Sequence, residues 1–346
     1  MSSVIAAVLF ASVLAYGLFG GADFGAGFWD LIAGGARTGE HPRAVIDRAI
    51  GPVWEANHVW LIFCFVLLWT AFPEVYASIT LTLFVPLTLA ALGIVLRGSG
   101  FAFRKVMLRT RDRRRFGAAF AVSSVLVPYF FGTVAGAVAT GRVPPGGEAG
   151  DPVHSWINPT STLGGVLAVV VAAYLASVYL GADADRLGDA EMTAYFRLRA
   201  MIAAIVVGVV VAVGIAVLHA DAPYLFDGLT SRALPVVIVS AVLGGVSLLL
   251  VVRRRYRWAR WSAAGAVATV VLAWGVAQSP YLLPETVKVA DAAAPDGTLT
   301  ALLVAAIAVV VLVLPFLGLL YVLDQRDLLP EESVQARSAA PDPGAK

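Results

Sequence analysis

Four ionisable residues stand inside stretches that are otherwise apolar: Asp23 and Asp30 in the first, Glu55 and His58 at the head of the second, with Asn57 beside the last pair. In lipid such a residue costs about 2.5–3.5 kcal/mol, so it marks either a polar cross-link between helices or a path for protons. A carboxylic acid can hold and release a proton, and an amide or imidazole beside it can orient or pass one. A buried histidine can also be an axial haem ligand. The other three histidines, His41, His154 and His219, fall in loops or at a helix end, and Met107 and Met192 lie in loops. No axial pair can be assembled, so no haem or metal is expected on this chain. The single cysteine, Cys64, has no partner for a disulfide and reads as a small buried hydrophobe. Phosphate-binding, dinucleotide-binding and nucleophile-elbow signatures of soluble enzymes are missing from the sequence.

The elements that must hold these residues follow from composition. The chain is 59% hydrophobic and only 14% charged, with a strongly positive mean hydropathy, a balance that ordinary soluble domains do not show. Apolar runs long enough to cross a hydrocarbon core of ~30 Å occur at 4–33, 51–72, 76–96, 117–140, 161–181, 200–219, 234–252, 261–279 and 300–323. The expected fold is therefore all-α, a polytopic membrane protein of nine transmembrane helices in packed bundles. Continuous Val/Ala/Leu/Ile runs exclude the dyad alternation of a β-barrel. The N-terminal "MSSVIAAVLFASVLAY" has no basic leader and reads as a retained first helix. Residues 1–330 form one transmembrane domain, and the polar, proline-containing tail 331–346 is expected to be disordered.

Of the 25 Lys and Arg residues, 22 fall in the loops after the first, third, fifth and seventh spans or in the C-terminal tail. Positive charge marks the cytoplasmic side, so the N-terminus is expected outside and the C-terminus inside. The run "RKVMLRTRDRRR" is read as a topology determinant that touches anionic lipid, and nucleic acid is not an expected partner.

The link "AGGARTGEHPR" joins the first two spans into an antiparallel hairpin, with Asp23 and Glu55 equally far from its midpoint at Gly39. Both carboxyls are then expected at one depth and buried, with His58 a turn from Glu55. Gly17, Gly21 and Gly25 make a small-residue stripe at spacing four, an approach surface for another backbone. Trp54 and Trp60 flank the polar group as anchors or packing residues. Two roles stay open for Glu55, Asp23, Asn57 and His58: a hydrogen-bonded cross-link, or a proton relay. An ion-coupled transporter would suit the same acids, although no matched pair of broken helices is visible in two halves of the chain.

Three motifs sharpen the choice. "GADFGAG" (Gly21 to Gly27), "IGPVWEANHVWLIF" (Ile50 to Phe63) and "AFPEVYA" (Ala71 to Ala77), supported by "RGSGFAFR" (Arg97 to Arg104) and "SPYLLP" (Ser279 to Pro284), resemble subunit II of the cytochrome bd-type quinol oxidases over almost the whole chain. The resemblance implies a heterodimer in the bacterial inner membrane with subunit I, which would carry two b-type haems, one d-type haem and the quinol-oxidising loop and reduce dioxygen to water. It implies no haem on this chain, which would stabilise the partner and help route protons from the cytoplasm. Glu55 takes the place of a family aspartate, Asp23 matches the second aspartate of the first motif, and Trp54, Asn57 and Trp60 match directly. Gly20, His58 and Ala102 depart from the common acidic or amide residues, and Ala102 removes an acid from the expected proton mouth.

Overall fold

The computed structural model describes residues 1–35, 37–51, 54–107 and 110–325. Pro52, Arg109 and the tail at 331–346 lie outside the described residues. The chain is helical almost throughout, and among the described residues the one sheet is a small antiparallel pair, β1 (Tyr281–Leu283) and β2 (Val287–Lys288).

The first span is α1 (Ser2–Ala15), a π-helical turn at Tyr16–Gly20, and α2 (Gly21–Leu31). Single π turns inside helices recur at functional sites, and this one stands directly before Asp23. Next comes α3 (Glu40–Ile50), an amphipathic helix in the segment read as a polar link. It buries Pro42, Ile46 and Ile50, turns Arg43 and Asp47 toward the bundle and leaves Glu40, His41 and Arg48 exposed.

The second span departs from expectation. Residues 54–57 form a turn, and α4 (His58–Ala71) starts only at His58. Fourteen residues reach about 21 Å, too short to cross a membrane alone. Phe72 leaves helical geometry before Pro73, whose ring suits a first helical position. There α5 (Pro73–Thr82) begins after a bend of 118°. A second break at Leu83 starts α6 (Phe84–Val106), so the expected span at 76–96 is divided between α5 and the start of α6. Pro86 falls in the first turn of α6, where its missing N–H leaves no bond unmade.

The remaining spans are α7 (Thr110–Ala139), α8 (Pro159–Arg186), α9 (Ala190–Asp221), α11 (Leu234–Val252), after the short α10 (Pro223–Thr230), and α12 (Tyr256–Gln278). The last span is α13 (Asp296–Ala308) continued through a π turn into α14 (Leu314–Gln325). Eight described helices are long and apolar enough to cross a membrane, and the bent α4–α5 pair makes up to nine.

Packing divides by depth. One core gathers Trp29, Ile46, Ile50, Phe101, Phe120 and Phe196 around α8, the most buried span, at the end carrying the basic loops. A second gathers Ile5, Leu67, Phe72, Val75, Leu283 and Leu299 at the opposite end, and a smaller third gathers Ala222, Leu225, Ala233 and Ala277 around α10. Loops at that second end are tied down by side chains. Glu74, Ser78 and Thr82, one above the other on α5, accept from the backbone N–H groups of Gly146, Gly147 and Gly150 at 2.8, 3.0 and 2.9 Å. Arg142 makes two hydrogen bonds to Asp221, which also accepts from the Thr160 hydroxyl at 2.7 Å.

Candidate functional site

Helix α2 places Asp23 and Asp30 seven residues apart on one face, and α6 places Arg97 and Arg104 seven apart. Seven residues are about two helix turns, or roughly 10.5 Å. The two helices run in the same direction, so each acid meets a cation at its own level. Arg97 and Arg104 were read from sequence as loop cations; both are buried inside the bundle, Arg97 with 1% and Arg104 with 6% exposure.

The tier nearer the basic loops is an ion network. Arg43 donates from Nε to Asp30 at 2.7 Å, and Arg104 bridges Asp30 and Asp47 with its two terminal nitrogens. The short α3 exists in this arrangement to deliver Arg43 and Asp47 to the first span.

In the second tier, Asn57 Nδ2 donates to Asp23 Oδ2 at 2.5 Å and to the Phe19 carbonyl at 3.3 Å. Asp23, Asn57 and Arg97 are all buried. The Arg97 guanidinium, whose charge acts on Asp23, donates from Nε to the Ser124 hydroxyl at 3.1 Å. Among the described residues its Nη2 finds no protein partner. Further along, the Tyr16 hydroxyl and His58 Nδ1 are also buried without partners among the described residues, their rings 6.2 Å apart. Buried polar atoms left open by protein are normally met by ordered water. Phe120 separates the tiers: the Arg97 guanidinium lies 5.2 Å and the Arg104 guanidinium 4.4 Å from its ring centre.

Several sequence expectations change here. Glu55 is exposed on the turn before α4 and is not a buried partner of Asp23. The hairpin register was nearly right, but Asn57, two residues on, is what meets Asp23. His58 is half-buried between the rings of Tyr16 and Phe24. Trp54 packs on Phe101, with centroids 5.5 Å apart, and Trp60 stacks on Phe19 at 6.3 Å. The glycine stripe meets α8 rather than the second span: a Cβ on Gly25 would collide with the Ala172 carbonyl, Gly21 faces Leu175, and Gly17 has open space. Sequence reading gave Asp30 no partner and missed Tyr16, Asp47, Arg97 and Arg104 as site residues. The matched spacing of seven was the available signal.

The remaining histidines are engaged elsewhere: His41 pairs with Asp189 at 2.8 Å, His154 with Asp151 at 2.8 Å, and His219 packs against the Phe226 ring. Among the described residues no group of three or more His, Cys, Asp or Glu side chains is placed to hold a metal ion.

Fold and site together define a multi-pass helical membrane protein with a two-tier ladder of acids and arginines buried between its spans. The chain belongs to the cytochrome bd terminal oxidase subunit II family, whose model matches residues 1–324. It is thereby a protein of the bacterial inner membrane. It is 28% identical over 165 residues to cytochrome bd ubiquinol oxidase subunit 2 of Bacillus subtilis, a stretch covering 47% of each chain. It is 27% identical over 129 residues to cytochrome bd-I ubiquinol oxidase subunit 2 of Escherichia coli, covering 37% of this chain and 33% of that one. The matched stretch thus spans about half of the first relative and a third of the second. The solved bd oxidase from Geobacillus thermodenitrificans superposes with a TM-score of 0.73 and 27% identity, over 92% of this chain and 97% of its counterpart.

Proposed function

We propose that this chain is the haem-free subunit II of a quinol:oxygen oxidoreductase, and that its buried ladder carries protons toward oxygen reduction in a haem-bearing subunit I. The observation that carries the second half is the Asp23–Asn57 contact beside Arg97, a buried acid with polar groups leading away from it and no purely packing function. In this reading Glu55, exposed near the tier, collects protons and Asp23 holds them in the interior. Asn57 fixes the Asp23 carboxyl, and His58 and Tyr16 face the onward water. The Asp30–Arg104 network holds the first span to α6, so that Asp23 and Arg97 stay in register. A relay through Asp23 needs no haem or metal on this chain. The family match and the unmatched halves favour an oxidase subunit over an ion-coupled transporter.

Purification of the tagged chain from its native membrane tests the assignment. The expected product is a complex with a second subunit that holds two b-type haems and a d-type haem and consumes oxygen with quinol, while this chain alone is colourless. A colourless homo-oligomer from native membrane contradicts it.

Orientation belongs to the same proposal. The basic-loop end faces the cytoplasm, a reading supported by the distribution of arginines. A cysteine introduced at Glu148 should then react with impermeant thiol reagent in intact cells, and one at Arg255 only after lysis. The opposite pattern reverses the direction of proton delivery.

A further inference from the structure

We propose that the turn between α11 and α12, with the adjoining cleft, is a binding site for the headgroup of an anionic phospholipid.

Helix α11 ends in a paired hydrogen-bond cap: Arg254 N donates to the Val251 carbonyl at 3.1 Å and Arg255 N to the Leu250 carbonyl at 2.8 Å. In this cap one residue adopts left-handed backbone geometry, a position usually held by glycine. Here it is Arg254, with φ 58°. A long branched cation where glycine would be less strained indicates a function for the side chain itself.

What that side chain faces is a cleft of about 270 Å³ lined by Thr193, Arg197, Tyr256 and a single carboxylate, Asp185. Arg197 is fixed there by donating to the Val251 and Val252 carbonyls at 3.2 and 2.9 Å. Arg253, Arg255 and Arg257 are exposed around it. Among the described residues none of these three, nor Arg254, is in an ion pair. The neighbouring acid Asp183 is taken by Arg260 at 3.1 Å. Positive charge is therefore concentrated here and outnumbers the one carboxylate of the cleft.

The depth of the site identifies the anion. Trp258 and Trp261, in the first and second turns of α12, are 62% and 72% exposed, and Leu249 and Val252 at the end of α11 are exposed apolar residues. Tryptophans of this kind sit at the membrane interface. The arginines one turn before them then stand at headgroup level, where a phosphodiester is the anion at hand.

The test uses the complex purified from its native membrane, delipidated and titrated with phosphatidylglycerol or phosphatidylcholine under native mass spectrometry. Wild type should retain phosphatidylglycerol in preference to phosphatidylcholine, and Arg254→Gly should bind it about fivefold more weakly, the share of one arginine at an anionic surface. The glycine suits the cap, so the thermal midpoint of the variant without acidic lipid should equal or exceed that of wild type. Arg254→Asn, which also tolerates left-handed geometry, should weaken lipid binding alike. Equal titrations for wild type and both variants overturn the proposal, as does full displacement of the lipid by inorganic phosphate.

Discussion

Asp23→Asn is expected to slow quinol-dependent oxygen consumption by the assembled complex on the order of 10²-fold, the lower end of what a positioned proton-transferring group contributes. Asparagine matches the shape of aspartate and can still meet Asn57 after one amide turns over, so the contact between the first span and the α4 turn survives. What is lost is the capacity to take and release a proton. Asp23→Glu keeps that capacity with one more methylene and should recover a large part of the rate. Visible spectra of all three complexes should show unchanged haem content. If Asp23→Asn and wild type consume oxygen alike, the tier is a structural cross-link.

The second large effect is structural. Arg104 is buried between Asp30 and Asp47 and lies over the rings of Phe101 and Phe120. Arg104→Ala would leave Asp30 buried with Arg43 as its remaining cation and open a gap beside Phe120. Removing one partner of such a buried network costs about 3–5 kcal/mol. The thermal inactivation midpoint and the yield of complex should both fall sharply. Arg104→Lys should recover only part of the loss, since one ammonium cannot bridge two carboxylates as the planar guanidinium does. Full stability in the alanine variant would show that α3 is held by Ile46 and Ile50 packing alone.

Helical spans, the approximate depth of the polar group and the family were legible because each rests on a one-dimensional signal: apolar run length, equal distance from Gly39, and motif residues in order. Breaks within spans were harder to read. The turn at 54–57 and the break at Leu83 fall inside the runs 51–72 and 76–96, where nothing in the sequence interrupts the count, and backbone angles decide otherwise, whereas the bend at Phe72–Pro73 falls at the boundary between the two runs. Arg97 and Arg104 illustrate a different loss. Counting basic residues by loop placed them on the surface, since α6 runs on past the apolar segment to Val106 and carries them into the interior. The Asp23/Asp30 and Arg97/Arg104 spacings match by two turns, but only tertiary contact shows that the helices carrying them are neighbours. Burial of Glu55 was expected because it falls within an apolar run at the depth of Asp23; its exposure follows from the turn that displaces it from α4.

The central claim is that Asp23 in this chain delivers protons for oxygen reduction. It is tested most directly by mixing the fully reduced complex with oxygen in weakly buffered solution and following proton uptake with an indicator dye, in wild type and in Asp23→Asn. The account predicts that uptake in the variant lags far behind wild type while the haems first bind oxygen at an unchanged rate. Proton uptake as fast in Asp23→Asn as in wild type would contradict it.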